Sequence, residues 1–376
     1  MASSISLLAE KIWCGAYQER ENSGYSTVKV LHAIHSLEGG GAETQLRILH
    51  RSLLDYGIDS NVVCFNAGSF ADEPKVLVVP SKGKFDFSAY KALGSVIADI
   101  WPDVIHTWLP AAITIPSMFF ARRYGIPAIF SYRNKMFFHR PISYPEYVTA
   151  LVCCRKIVSN NLISQSSPFF RWLFRRKNGE VIYNSISFGQ SRQEDEIRKK
   201  QVYKILFAGR LTRQKNLEIL IKALEGMASD SRWILQVCGV GELENELRLK
   251  VTAAGIQDRV IFEGFESNLS ARMLASDLLI FPSSYEGMPN VLLEALAARL
   301  PVIASDIPAS RDVVGDTDAV QWFSLTDAIG LRNKIIDFFD DPVSHRPLSE
   351  SGLQLSKGYS KEAMTASYIK VYELFV

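Results

Sequence analysis

The sequence predicts an α/β protein made of two doubly wound, parallel-sheet domains of similar size. Three observations predict it. From residue 28 onward, short β-branched runs alternate with helical patterns, and that alternation builds a parallel sheet covered by helices on both faces. The alternation breaks once, at "GQSRQEDEIRKKQV" (189–202), where the apolar pattern stops. At 376 residues the chain is also too long for one ordinary core.

The elements follow in order. Residues 1–27 read as an N-terminal extension. Ile5, Leu8 and Ile12 lie at helical spacing, which predicts a small amphipathic helix, and 14–26 read as loose chain. The start is too short and too polar for a clear signal peptide. The first domain, 28–188, carries candidate strands "VKVLHAI" (28–34), "NVVCF" (61–65), "KVLVV" (75–79), "DVIHTW" (103–108), "PAIFSY" (127–132) and "KIVSN" (156–160). Between them lie helical patterns such as "AETQLRILHRSLLDYG", which ends at Gly57 as a helix C-cap should. Residues 189–202 read as a polar linker. The second domain, 203–358, restarts with "YKILFAG" (203–209), "WILQVCG" (233–239), "RVIFEG" (259–264), "DLLIFPS" (277–283) and "PVIAS" (301–305). Residues 359–376 read as a terminal helix that packs back on the first domain. Such domains bind ligands at the carboxyl ends of their strands, so two of them facing each other would form an interdomain cleft.

Charge is unevenly distributed. Residues 1–190 hold 20 Lys and Arg against 14 Asp and Glu, while the remainder holds 22 against 26. The positive excess concentrates in 122–177, with 11 basic residues and one acidic residue, Glu146. A field of that sign suits an anionic surface or a phosphate-bearing partner. The five cysteines, Cys14, Cys64, Cys153, Cys154 and Cys238, form no CxxC pair. A disulfide framework or structural zinc is not expected, and a reducing, cytoplasmic setting fits. No apolar run reaches 18 residues, so no membrane span is predicted.

The densest stretch is "YEGMPNVLLEALAARLPVIASD" (285–306). It puts Glu286 on the loop after a strand and Glu294 eight residues later, in the first turns of a helix. Backbone N–H groups at Gly287, Met288 and Asn290, flanking Pro289, which has none, mark the helix N-terminus and suit hydroxyls or phosphate. Two carboxylates accepting hydrogen bonds from neighbouring hydroxyls are a way to hold a sugar or ribose. A lone glutamate in either place is usually a solvated charge; the combined loop, spacing and helix favour ligand contact. This stretch closely resembles the signature of retaining glycosyltransferases of family 4, which have the GT-B fold. The resemblance implies that Glu286 contacts the transferred sugar and Glu294 the nucleotide ribose.

Other segments carry the same resemblance. In "FAGRLTRQKNLEILIKAL" (207–224), Arg210 and Lys215 follow a strand end and precede a helix. Two cations there can hold a diphosphate and neutralise the leaving group, and "GRLTRQKN" is similar to the family's phosphate site. Arg213 between them is expected in solvent. "HSLEGGGAETQL" (35–46) resembles the family's glycine-rich loop, which implies that Gly40 and Gly41 lie near the donor phosphates. Neither this loop nor "GVGELE" (239–244) completes a dinucleotide fingerprint. "PDVIHTW" (102–108) places His106 at a strand end; a lone histidine is more often a satisfied core residue, but the resemblance implies a place beside the reacting sugar. In "SYRNKMFFHR" (131–140), Arg133 and Asn134 are acceptor-side candidates and His139 a weaker one. Asn184 in "VIYNSIS" resembles the family's interdomain asparagine and reads as a hinge residue.

These readings combine into an expectation. The resemblance implies a retaining, hexosyltransferase-type enzyme that takes a nucleotide-diphosphate sugar, UDP-linked by family habit. Its catalytic residues would be Glu286, His106, Arg210 and Lys215. No cofactor is expected. No metal is expected either: "DTD" (316–318) is the only Asp-x-Asp, and it reads as a turn. The helix "FFRWLFRRK" (169–177) interleaves aromatics with Arg171, Arg175 and Arg176 around Trp172, a pattern suited to an anionic membrane interface. Nucleic acid is not expected, because no recognition motif accompanies the basic patch. The acceptor would then be a glycan, lipid-linked, at the cytoplasmic face of a bacterial inner membrane, in polysaccharide or lipopolysaccharide assembly. Two other readings compete: a sugar-nucleotide epimerase, and an inactive binding subunit of a polysaccharide assembly complex.

Overall fold

The computed structural model describes residues 28–376 apart from 39–40, 69–72, 84, 134–143, 163–167, 187–190 and 194–195. The N-terminal extension, Gly40, Asn134 and His139 therefore lie outside the described residues. The chain divides into two compact units: one from the N-terminal stretch to Ser185 together with Lys361–Val376, and one from Ile186 to Ser360.

The elements of the first unit run β1 (Lys29–Ser36), α1 (Gly41–Asp55), β2 (Asp59–Asn66), β3 (Val76–Val78), α2 (Phe87–Ile100), β4 (Val104–Trp108), α3 (Thr114–Tyr124), β5 (Ala128–Tyr132), α4 (Tyr144–Cys153), β6 (Lys156–Ser159), α5 (Pro168–Arg176) and β7 (Glu180–Val181). Among the described residues the strands form one parallel sheet in the order β3-β2-β1-β4-β5-β6-β7. Alternation along each strand sorts its side chains between two cores. Leu31, Ala33 and Ile105 pack with Leu93, Ile97, Met118 and Leu151 on one face. Val30, Ile34, Val104 and Trp108 pack with Leu46, Leu49, Tyr368 and Tyr372 on the other. Gly57 takes φ 73° just past α1, the left-handed conformation that glycine adopts without a Cβ clash.

The second unit runs β8 (Tyr203–Ala208), α6 (Leu217–Glu225), β9 (Trp233–Cys238), α7 (Glu244–Ala253), β10 (Val260–Gly264), α8 (Leu269–Ala275), β11 (Leu278–Phe281), α9 (Asn290–Ala297), β12 (Val302–Ser305), α10 (Pro308–Val314), β13 (Gln321–Phe323), α11 (Ala328–Asp340) and α12 (Arg346–Ser356). Its sheet is also parallel, in the order β10-β9-β8-β11-β12-β13. The last helix, α13 (Lys361–Tyr372), belongs to the first unit.

The polar stretch 189–202 is not a free linker in its described residues. Asp277 is buried and draws the cations of that stretch inward, because a desolvated carboxylate needs partners. Lys200 Nζ lies 2.6 Å and Arg192 Nη2 3.5 Å from Asp277 Oδ1, and the Lys204 N–H donates to Oδ2 at 2.8 Å. Arg192 is itself buried, and its N–H donates to the Ala298 carbonyl at 3.1 Å.

The His106 expectation also needs correction. His32 and His106 are register partners on β1 and β4, so both point to the face covered by α13. His106 is fully buried within its strand. Its Nδ1 bonds the Tyr372 hydroxyl at 2.8 Å and its Nε2 the Ser131 hydroxyl at 2.7 Å. It is a satisfied core histidine. Trp108 Nε1 donates to His32 Nδ1 at 3.2 Å, which places the His32 proton on Nε2. Burial holds both imidazoles well below the usual histidine range, with neighbouring His50 adding to the effect on His32, and His32 and Arg133 adding to it on His106.

A depressed histidine pKa stabilises the fold fully above the unfolded value near 6.5, and that stability is lost as pH falls toward the folded value. Each buried histidine therefore costs stability progressively as pH falls below the unfolded value. Thermal unfolding from pH 7.5 to 5 should therefore show acid lability. His106→Gln, whose amide both donates and accepts, should lose stability less steeply over that range; a variant with the parent's acid slope would contradict the assignment.

Candidate active site

In the second unit the winding direction reverses between β8 and β11, which are hydrogen-bonded neighbours. In such a sheet the loops leaving these two strands open a crevice at their carboxyl ends. Residues 209–216 follow β8 and lead into α6; residues 282–289 follow β11 and lead into α9.

The two loops are joined by hydrogen bonds. The Ser284 N–H donates to the Gln214 carbonyl at 2.8 Å. Gln214 Nε2 donates to the Tyr285 carbonyl at 2.9 Å and to Glu286 Oε2 at 3.2 Å. Lys215 Nζ pairs with Glu286 Oε1 at 2.6 Å and stands 5.8 Å from the Phe281 ring centroid. Glu286 is only 7% exposed, so its carboxylate depends on these donors. Gln214 was not predicted as a site residue. A neutral amide between Arg213 and Lys215 has no distinctive spacing, so no sequence signal marked it.

Glycines let the strand ends approach closely. Gly209 and Gly239 take φ 153° and 147°, the Gly209 N–H donates to the Cys238 carbonyl at 2.9 Å, and a Cβ on Gly239 would lie 1.9 Å from the Gly209 oxygen. "GVGELE" is therefore a turn that supports the β8 loop, and no side chain fits there.

The remaining positions sort as follows. Arg210 is exposed on the β8 loop, with no side-chain partner among the described residues. Arg213 is exposed. Gly287 is partly exposed, while Met288 and Pro289 are buried. Pro289 precedes α9, no side chain caps that helix among the described residues, and Asn290 begins it. The carboxyl of Glu294, the fifth residue of α9, has no hydrogen-bond partner among the described residues, and burial pushes it up to about 7. An underbonded carboxylate near a helix N-terminus can accept hydrogen bonds from ligand hydroxyls. Asp316 and Asp318 are exposed in the turn after α10. Among the described residues no group of three His, Cys, Asp or Glu gathers as a metal site.

In the first unit Gly41 is the exposed first residue of α1. Arg133 is not presented for an acceptor: it is 6% exposed, and both terminal nitrogens are bonded within the unit. Asn184 is buried and accepts one of those bonds. On α5, Leu173 and Phe174 are buried while Arg171, Trp172, Arg175 and Arg176 are exposed. With Pro168, these four exposed residues line a groove of about 520 Å³. No described helix is long and apolar enough to cross a membrane.

The Glu294 geometry gives a prediction. A carboxyl raised from 4.5 to about 7 by folding stabilises the fold fully below the unfolded value and loses that contribution as pH rises through the folded one. Glu294→Gln should therefore raise thermal stability at pH 8, by up to about 3 kcal/mol, with the gain vanishing toward pH 4.5. An equal effect at both pH values would contradict a raised Glu294.

Comparison with known proteins bears on the whole arrangement. Residues 39–186 match the model of Glycosyltransferase Family 4, and residues 189–354 that of Glycosyl transferases group 1. The lipopolysaccharide core biosynthesis glycosyltransferase LpsD of Rhizobium meliloti is 24% identical over 360 residues, covering 92% of this chain and 98% of that protein. The putative glycosyltransferase EpsF of Bacillus subtilis is 25% identical, covering 93% of this chain and 97% of its own. Among solved structures, HepE of Anabaena in complex with UDP-glucose superposes with a TM-score of 0.77 at 18% identity, over 92% of this chain and 99% of that one. WaaG, a glycosyltransferase involved in lipopolysaccharide biosynthesis, superposes with a TM-score of 0.70 at 14% identity, over 91% and 99%. The chain belongs to the family 4 glycosyltransferases of the GT-B fold.

Proposed function

We propose that this glycosyltransferase moves a hexose from a nucleoside-diphosphate sugar, with retention, to a lipid-linked glycan in lipopolysaccharide or polysaccharide assembly. The observation that carries the donor half is the paired loops of the second unit, where Lys215, Gln214 and Glu286 are bonded together beside the unengaged Arg210. The complexes of HepE with UDP and with UDP-glucose support a UDP-sugar as donor. The names of LpsD and WaaG support the lipopolysaccharide pathway.

In this reading Arg210 meets the diphosphate first, being exposed at the strand end with no side-chain partner among the described residues. Lys215 divides its charge between Glu286 and the phosphate, so donor arrival and the setting of Glu286 are linked. Glu286 accepts hydrogen bonds from the transferred sugar, and Glu294 from the ribose. The acceptor hydroxyl attacks the anomeric carbon on the face the diphosphate leaves. The bond from that carbon to the phosphate oxygen breaks as the new glycosidic bond forms. The leaving phosphate carries away the electron pair and takes the acceptor's proton. Arg210, Lys215 and the amides at the start of α9 stabilise the charge that develops. His106 has no part in this scheme, and the machinery is Glu286, Arg210 and Lys215.

The test is transfer by Glu286→Gln, which keeps the side chain's shape and removes its charge. Turnover should fall about 100-fold or more, with thermal stability near the parent's. Transfer at the parent's rate would reject the assignment. A parent that binds donor but never transfers would favour a binding subunit, and isomerised donor as the product would favour an epimerase.

The exposed guanidinium groups of Arg171, Arg175 and Arg176 around Trp172 support a further element of this reading, peripheral contact with an anionic membrane. Arg176 stacks 5.2 Å from the Trp172 ring centroid, which presents cation and aromatic together. Sedimentation with phosphatidylglycerol-containing liposomes should fall sharply when the three arginines become glutamine, and equal sedimentation would reject membrane contact by this helix.

A further inference from the structure

The first unit is assembled from two stretches of chain. The chain leaves it after Ser185 and re-enters it at Lys361. Arg133, the residue after β5, is bonded near both crossings. Its Nη1 donates to Asn184 Oδ1 at 2.7 Å, one residue before the exit. Its Nη2 donates to the Tyr368 hydroxyl at 2.7 Å, on the third turn of the returning α13. The guanidinium carbon lies 4.0 Å from the Trp108 ring centroid, which fixes the plane of the group.

This is a costly arrangement for a side chain that is 6% exposed. No carboxylate is paired with Arg133 among the described residues; its partners are an amide, a hydroxyl and an indole face. A buried cation held by neutral groups contributes little stability for its desolvation cost. What a planar guanidinium supplies instead is two donors at fixed separation, which an ammonium does not. The exit is also held separately: Gln45 Nε2 donates to the Ser185 carbonyl at 2.7 Å, and the Ser185 N–H donates to Gln45 Oε1 at 2.8 Å. Arg133 thus adds something beyond anchoring the exit, namely its bond to the return.

We infer that Arg133 is a positioning residue that couples the segment by which the chain leaves the first unit to the helix by which it returns. Neither crossing loosens without the other. Segments at domain crossings absorb the backbone changes of domain motion. The crossings are also tied directly, the Ile186 N–H donating to the Tyr359 carbonyl at 2.9 Å; the guanidinium adds a side-chain tie within the first unit, so loosening of either segment is felt at the other.

Hydrogen exchange on the full chain tests this without any substrate. The amides of Ile182 and Ser185 are bonded to the Ser159 carbonyl and to Gln45 and report on the exit, while those of 365–372 report on the return. Tyr368→Phe removes only a hydroxyl from α13, and it should speed exchange at 182–185 about tenfold. Asn184→Ala should speed exchange along 365–372 in return, and Arg133→Lys should speed both. Amides of β1 and β2, outside the coupled set, should keep the parent's rates in all three. If Tyr368→Phe and Asn184→Ala each loosen only their own segment, or neither segment, Arg133 is a buried structural arginine and the coupling is overturned.

Discussion

A parallel sheet that winds outward from its first strand in both directions leaves one place where two adjacent strands send their loops apart. In the second unit that place lies between β8 and β11, and the candidate site depends on it. The pairing of Leu278 with Ile205 and Leu279 with Leu206 sets the two strand ends side by side. Only then can Lys215 reach Glu286, 71 positions later in the chain. The crowded glycines at 209 and 239 brace the same corner, because any side chain at Gly239 would collide with the β8 backbone. Backbone pairing, glycine packing and the Lys215–Glu286 pair are successive consequences of one strand order.

The electrostatics of the site are uneven in a useful way. Glu286 is satisfied by Lys215 and Gln214, while among the described residues neither the partly buried Glu294 carboxyl nor the exposed Arg210 guanidinium has a partner. The group already paired is held in position. In the proposed function, Glu294 and Arg210 are where a ligand would supply hydroxyls and negative charge. Burial raises the Glu294 carboxyl, whereas hydrogen bonds from a ribose would favour its ionised form, so ligand binding and deprotonation of Glu294 reinforce each other.

Local pattern made much of this legible. Both sheets, the break near 190, and the loops bearing Arg210, Lys215 and Glu286 follow from β-branched runs, loop positions and helix starts within a few residues of each other. The errors came from contacts made over long distances in sequence. His106 sits on a strand face whose cover, Tyr372, arrives 266 residues later. Arg133 meets Tyr368 across 235 residues. The polar run at 189–202 read as a linker because its partner, Asp277, stands in another element. Strand parity told which face a residue takes, but not what would cover that face. Gln214 was overlooked for a different reason: a neutral amide between two cations has no distinctive spacing, and its role appears only once the β11 loop lies beside it.

In the proposed function the paired loops of the second unit form a nucleoside-diphosphate site in which Arg210 is the first cation to engage. Calorimetric titration with UDP, comparing the parent with Arg210→Ala at pH 8, tests it most directly. The account predicts saturable one-to-one binding by the parent and a loss of about tenfold or more in affinity for the variant, or 1.4 kcal/mol. Binding of equal strength by the two proteins would contradict it.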